Sequence, residues 1–234
     1  SGYSNGNKEK EMIEKLKSIL YKNNIDHKND FELLVYNSPY DFINRRNEIT
    51  VTIKYNINEH KMNKIYFGSG CFWCTEAVFA DVIGVKNVHN GYAGGLTNNP
   101  SYSEVINGNT NHAEVCEVIY DSSVISLEGL LEIFFLTHDP TTINRQGNDI
   151  GSHYRSIILY SDEEDLECIN SSFQDFNQKY YNNKIVTQIQ SLEKFFLAEE
   201  YHQDYYQNNI NEPYCKNIIS PKIIKAREKL NKYY

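Results

Sequence analysis

Residues Gly70-Cys71-Phe72-Trp73-Cys74-Thr75-Glu76-Ala77 follow a short apolar run, Ile65-Tyr66-Phe67. The run favours a strand, the glycine permits a tight turn, and the segment after it reads as a helix. Cys71 then faces the unpaired N–H groups at the positive end of that helix. Such a position stabilises a thiolate, the nucleophilic form of cysteine. Trp73, the only tryptophan of the chain, and Phe72 would set an apolar wall beside a reactive sulfur. Residues three apart on a helix lie about 5–6 Å from each other, so Cys74 is within disulfide reach of Cys71.

Outward from this stretch, the coarse reading is strand 64–67, helix 72–80, strand 85–92, a glycine loop, strand 114–120 and helix 127–137. A long loop to Gly151 is followed by strand 154–160, helix 162–181, a short strand at 185–189 and helical segments to the end. Long loops without regular structure in a compact domain are often functional. Before residue 63 the pattern differs. Met12, Ile13, Leu16, Ile19 and Leu20 recur at helical spacing, and Phe31–Tyr36 and Ile49–Tyr55 read as strands separated by a turn at Asn37-Ser38-Pro39. Residues 1–62 are either a small α+β extension or a partly ordered appendage.

The 234 residues are 40% hydrophobic and carry a formal net charge of −8. This balance fits a globular protein and argues against non-specific nucleic-acid binding, which needs a positive patch. No apolar stretch approaches the roughly 20 residues of a membrane helix. Five cysteines at irregular spacing do not suggest a secreted disulfide framework, and a reducing intracellular compartment fits better. The cytoplasm is the expected location. The start at Ser1-Gly2 leaves an organellar targeting segment open. The Cys and His spacing lacks the paired ligands of zinc sites, so no metal is expected.

A wider set of motifs resembles the peptide methionine sulfoxide reductase A family. Gly91-Tyr92-Ala93-Gly94-Gly95 is followed by Asn99-Pro100-Ser101-Tyr102 and His112-Ala113-Glu114. Then come His138-Asp139-Pro140-Thr141, Asn144 to Asp149, Tyr154-Arg155-Ser156, Tyr201 to Tyr206 and Pro213-Tyr214-Cys215. Order and spacing follow the family from about Lys64 to Lys229. The resemblance implies an α+β two-layer sandwich with a mixed sheet and a ferredoxin-like core, spanning residues 63–234. It implies reduction of methionine S-sulfoxide, free or in proteins, with thioredoxin as recycling partner, no cofactor, and a monomer.

By the same resemblance, Cys71 is the nucleophile and passes through a sulfenic acid. Glu114 is the acid that protonates the sulfoxide oxygen, kept neutral by burial at the start of an apolar strand. Tyr102 and Tyr154 are hydroxyl donors to that oxygen. Phe72 and Trp73 accept the methyl group, and Asp149 helps to hold substrate and water. Cys215, read as part of a mobile C-terminal tail, matches a recycling position and competes with Cys74 as resolving thiol. Cys116 reads as core. Cys168, among carboxylates, reads as structural. Two positions depart from the family: Asn111 replaces a usual glycine, and His153 a usual glutamine. A general CxxC thiol-disulfide oxidoreductase and an inactive partner-binding module are the alternative functions. The Phe-Trp pair with the separate Glu and Tyr motifs argues against the first, and the intact Cys, Glu and Tyr set against the second.

Overall fold

In the computed structural model, which describes residues 6–22, 27–36, 46–53 and 62–234, the chain divides into two units, Ser1–Glu59 and His60–Tyr234. The first contains helix α1 (Gly6–Lys22) and the antiparallel strands β1 (His27–Tyr36) and β2 (Arg46–Ile53), with Phe31 opposite Val51 and Tyr36 opposite Arg46. On α1, Leu20 is buried and Ile13 and Leu16 are partly so, while Met12 and Ile19 are exposed. The apolar stripe is therefore narrower than the sequence spacing suggests. The Asn37-Ser38-Pro39 turn and Tyr55 lie outside the described residues.

The second unit begins with β3 (Met62–Ser69), α2 (Phe72–Phe79), β4 (Val85–Ala93), α3 (Tyr102–Ile106), β5 (Ala113–Asp121) and α4 (Leu127–Thr137). The two-residue strands β6 (Arg145–Gln146) and β7 (Asp149–Ile150) form a small hairpin. Then come β8 (Ser156–Tyr160), α5 (Asp165–Tyr181), β9 (Gln188–Ser191), β10 (Phe195–Leu197), α6 (Tyr205–Asn208) and α7 (Ser220–Lys229). The six-stranded sheet runs β10-β4-β5-β3-β8-β9. Every described pairing in it is antiparallel except β8 with β9, so the sheet is mixed. The β3-α2-β4-β5-α4-β8 order, with strands arranged β4-β5-β3-β8, is a ferredoxin-like core within an α+β fold.

The sheet is curled, and the chain itself requires it. Strands β9 and β10 lie at opposite edges but are joined by Leu192-Glu193-Lys194 alone. Such a link spans at most about 14 Å, whereas six flat strands would be roughly 24 Å across. Arg155 helps to fasten this curl. Its guanidinium donates to the Gly94 and Asn111 carbonyls, both at 3.1 Å, and to Gln188 Oε1 at 3.1 Å.

Strand β3 is central and its second half is buried on both faces. Phe67 stacks on Phe79 of α2 at 5.1 Å and on Phe134 of α4 at 4.8 Å. The sequence reading differs from the fold in four places. The glycine loop holds α3, the long loop holds the β6–β7 hairpin, and Tyr154 ends a 3₁₀ turn (Ser152–Tyr154) instead of starting a strand. Strand β10 falls in a stretch read as helical. Elements of two to five residues carry too few repeats for a period to emerge.

Phe134 has no exposed surface. Phe134→Ala should lower the unfolding free energy of the second unit by about 3–5 kcal/mol. Denaturant titration followed by Trp73 emission measures this. A loss under about 1 kcal/mol would mean that the site collapses without a cavity.

Candidate active site

The turn before α2 is built on a glycine for a steric reason. Gly70 has φ +94°, and a Cβ there would lie 2.6 Å from Gln146 Cβ. Cys71 is the N-cap of α2, and its carbonyl accepts the Cys74 and Thr75 N–H groups at 3.1 and 3.3 Å. The Phe72 N–H, which has no partner inside the helix, donates to Glu114 Oε2 at 3.0 Å. Strand β5 thus delivers a carboxyl group to the residue next to the candidate nucleophile. Glu114 is buried. Burial pushes its pKa up to about 8 against the pull of the Phe72 N–H, and the Asp149 charge adds to the rise. Burial thus favours the protonated carboxyl at neutral pH.

The thiols behave as a pair. Cys71 and Cys74 are both buried and hydrogen-bond to each other. The Cys74 pKa is lowered to about 6, first by the bond from Cys71, then by the Lys222 charge and Tyr214, against burial. Cys71 is raised by its bond to Cys74, by burial and by Glu114. The pull toward an anion is thus stronger at Cys74 and weaker at Cys71 than the helix-start position alone suggests. The helix end favours an anion at Cys71, the Lys222 charge favours one at Cys74, and the Tyr214 hydroxyl lowers both. Tyr214 Oη lies 3.8 Å from Cys74 Sγ and donates to Asp149 Oδ2 at 3.5 Å. Both thiols line a cleft of about 780 Å³ with His138, Asp149, Tyr214 and Lys222.

The aromatic residues form a wall. Trp73 is half-buried, its Nε1–H donates to His202 Nδ1 at 3.2 Å, and its ring lies flat on Tyr205 at 3.6 Å. Phe72 is fully covered between Trp73, Tyr92 and His202. Tyr102 starts α3, where its N–H donates to Glu199 Oε1 at 2.9 Å, and its ring meets His202 edge-on. Tyr102 is pushed up to about 12 and Tyr154 is raised as well. In both, burial is the main cause and the Glu114 and Cys71 charges follow. Tyr154 also packs against the cluster that holds Cys71 and Cys74. Asp149, on β7, is raised by burial against its bond from Tyr214.

Cys215 is not on an exposed tail. It opens a π-helical turn (Cys215–Ile219), has no exposed surface, and packs in a cluster with Cys71, Cys74, Ala77, Ile219 and Ile223. The Asn- and Pro-rich composition suggested a loose end, but Ile219 and Ile223 bury the segment against α2. Cys116 is core, and Cys168 is pushed up to about 12 by burial and Glu128. All five cysteines are free, and no cluster of metal-binding side chains occurs among the described residues. Asn111 occupies φ +56°, a left-handed conformation that asparagine tolerates better than most residues, so it can stand where glycine is usual. His153 is buried against the Tyr154 ring at 4.0 Å. His202, Tyr205 and Tyr214 stand in motifs that carry the resemblance but have no role assigned there, and Lys222 lies outside those motifs. Among 19 tyrosines nothing local distinguishes Tyr205 and Tyr214, although adjacency to Cys215 marked the second.

A buried dithiol beside a neutral carboxylic acid and hydroxyl donors defines a thiol oxidoreductase. A family model described as peptide methionine sulfoxide reductase matches residues 63–233. The peptide methionine sulfoxide reductase MsrA of Natronomonas pharaonis is 50% identical over 162 residues, 69% of this chain and 91% of that protein. That of Sulfolobus acidocaldarius is 52% identical over 158 residues, 68% and 89% of the two chains. Mxr1 from Saccharomyces cerevisiae in reduced form is similar in structure, with TM-score 0.62, 37% identity, and coverage of 66% of this chain and 90% of that one. Methionine sulfoxide reductase A of Corynebacterium diphtheriae gives TM-score 0.62, 33% identity and coverage of 64% and 76%. The chain belongs to the peptide methionine sulfoxide reductase family. It is an oxidoreductase that reduces methionine sulfoxide with its own thiols.

In the reduced protein, one thiolate should appear with an apparent pKa of about 6. Ultraviolet thiolate absorbance reports it, and Cys74→Ser should remove it. A thiolate that still titrates near 6 in Cys74→Ser would assign the charge to Cys71.

Proposed function

We propose that Cys71 attacks the sulfur of a methionine S-sulfoxide while Glu114 protonates the oxygen. The observation that carries this reading is the Phe72 N–H bond to Glu114, which fixes a neutral acid one residue from the nucleophile. Cys71 gives its proton to the Cys74 thiolate as its sulfur attacks. The attack joins the Cys71 sulfur to the substrate sulfur, and the oxygen, protonated by Glu114 and by the proton held on Cys74, leaves as water with the electron pair of the S–O bond; a water then adds to the Cys71 sulfur and returns a proton to Glu114, and methionine departs with the electron pair of the S–S bond, leaving a sulfenic acid on Cys71. Tyr102 and Tyr154 donate hydrogen bonds to the oxygen as negative charge builds on it. Phe72 and Trp73 take the methyl group and Asp149 holds the substrate's polar atoms. Wall and donors together select one epimer of the sulfoxide.

Cys74 then condenses with the sulfenic acid, forming the Cys71–Cys74 disulfide and releasing water. Their existing contact keeps the ordering cost of this step low. A dithiol reductant, thioredoxin, restores both thiols and leaves as its own disulfide. Cys215 acts as a relay thiol only after the π-helical turn unwinds, because it is buried there. Catalysis resides in residues 63–234, a monomer, with 1–62 as an appended α+β unit. The five free thiols suit a reducing intracellular compartment. No helix among the described residues is long and apolar enough to cross a membrane.

Single-turnover methionine release should be bell-shaped in pH. Below about 6 the pair has no thiolate to accept the Cys71 proton, and above about 8 Glu114 is no longer an acid. Glu114→Gln should cost about 10²–10⁴ in rate and lose the falling limb, and Cys71→Ser should release no methionine. A falling limb that survives in Glu114→Gln would give the proton-donor role to another group.

Recycling separates the remaining thiols. Cys74→Ser should slow the first methionine release by removing the base that takes the Cys71 proton, slow disulfide formation by at least a further tenfold, and accumulate the sulfenic acid that does form, trapped by dimedone and mass spectrometry. Cys215→Ser should slow thioredoxin-driven turnover and leave the first release intact. Full thioredoxin-driven turnover by Cys74→Ser would reduce Cys74 to a packing residue.

A further inference from the structure

Trp73 owes its orientation to a segment with little regular structure of its own. Its indole is held by His202 Nδ1 at 3.2 Å, by the Tyr205 ring at 3.6 Å and 6° between planes, and by the edge of Tyr214 at 5.9 Å. Two of these three contacts come from residues 202–205. That stretch leaves a 3₁₀ turn at His202, passes through Asp204 at φ +50°, and enters the four-residue α6. A left-handed aspartate persists only where its surroundings hold it.

Glu76 supplies the hold. Its Oε1 accepts the Asp204 N–H at 2.8 Å and its Oε2 accepts the Tyr205 N–H at 3.1 Å. Glu76 stands on α2 three residues beyond Trp73, a spacing at which helical side chains are neighbours. One helix therefore carries both the indole and the carboxylate that fastens the indole's cover. The carboxylate is 3% exposed and makes no salt bridge among the described residues. Burial pushes its pKa up to about 7 against the two backbone bonds and a bond from Asn90. Burying a carboxylate without a cation is costly, and an apolar residue would fill the space without that penalty. What the carboxylate adds is a two-pronged acceptor for two consecutive N–H groups.

We propose that Glu76 is a positioning residue which pins the Asp204–Tyr205 backbone so that Tyr205 lies flat on Trp73 and fixes the wall that receives the sulfoxide methyl. The proposal rests on the reading of Trp73 as that wall, and the test keeps the two apart. Trp73 is the only tryptophan, so its emission reports the stack directly in the reduced full chain. Glu76→Gln keeps one acceptor and turns an N–H₂ toward the other backbone N–H. It should red-shift the emission and raise its quenching by acrylamide, as should Tyr205→Ala. Both should raise the half-saturating concentration of methionine sulfoxide in single turnover about tenfold, and change the saturating rate far less. The double variant should match Tyr205→Ala, because Glu76 acts through Tyr205. Unshifted emission in Glu76→Gln, or additive effects in the double variant, overturns the proposal. Shifted emission with unchanged half-saturation upholds the pin and overturns the reading of Trp73 as the methyl wall. If Glu76→Gln does not fold, Glu76→Asp replaces it, and an unshifted emission there overturns the pin.

Discussion

The hydrogen bond from the Phe72 N–H to Glu114 joins the two elements that make the site. It satisfies a donor that every helix leaves open in its first turn, and it does so with a side chain from the buried strand β5. Two opposing effects meet at that carboxyl. Burial disfavours the charged form and the N–H favours it, and burial wins, leaving the group protonated near pH 8 and below. Had the helix been capped by its own residue or by water, Glu114 would have no tie to Cys71. The geometry of β3 and β5, paired from Met62 with Asp121 to Phe67 with Cys116, holds this contact in register. A one-residue slip would turn Glu114 to the opposite face of the sheet.

The thiol pair follows from the same economy of space. A thiol at a helix start is favoured as an anion, but at Cys71 the favour is offset by burial and by Glu114 close by. Three residues on, the bond from Cys71, the Lys222 charge and the Tyr214 hydroxyl draw the Cys74 pKa down against burial. Protonated Glu114 and the shared thiol proton complement each other, because a charged carboxylate and a thiolate at such range would repel.

Much of this was legible in the sequence, for identifiable reasons. Strand β3, helix α2 and helix α4 each repeat their pattern over eight residues or more, and Gly70-Cys71 marks the turn between two of them. The acid stood at the head of an apolar strand, where burial could be foreseen. The short elements α3, β6, β7 and β10 could not be read, because their order comes from tertiary contacts. Strand β10 exists because Gly91 lets Phe195 and Phe196 approach β4: a Cβ at Gly91 would lie 2.3 Å from the Phe195 ring. The low pKa of Cys74 was only half legible, since Cys71 is three residues away but Lys222 and Tyr214, which also lower it, are distant in sequence. Burial of Cys215 was masked by composition, as the asparagines and proline of residues 208–217 outnumber the isoleucines that anchor them.

The segment from Glu199 to Tyr214 shows how irregular chain becomes a rigid wall. It has few repeating backbone bonds, so its polar groups must find partners elsewhere or pay the penalty of burial unpaired. The partners are side chains of the regular elements. Asn90 of β4 donates to the His202 carbonyl at 2.8 Å, Gln203 donates to the Asn90 and Ala198 carbonyls at 3.0 Å, and Glu76 of α2 accepts from Asp204 and Tyr205. Glu199 in turn accepts from the Tyr92 hydroxyl at 2.8 Å and the Tyr102 N–H at 2.9 Å. Each bond is modest alone, but together they leave the segment one arrangement in which its donors and acceptors agree. The aromatic faces of His202 and Tyr205 are then fixed by polar contacts beneath them, and the apolar surface of the site is as rigid as the hydrogen-bonded frame behind it.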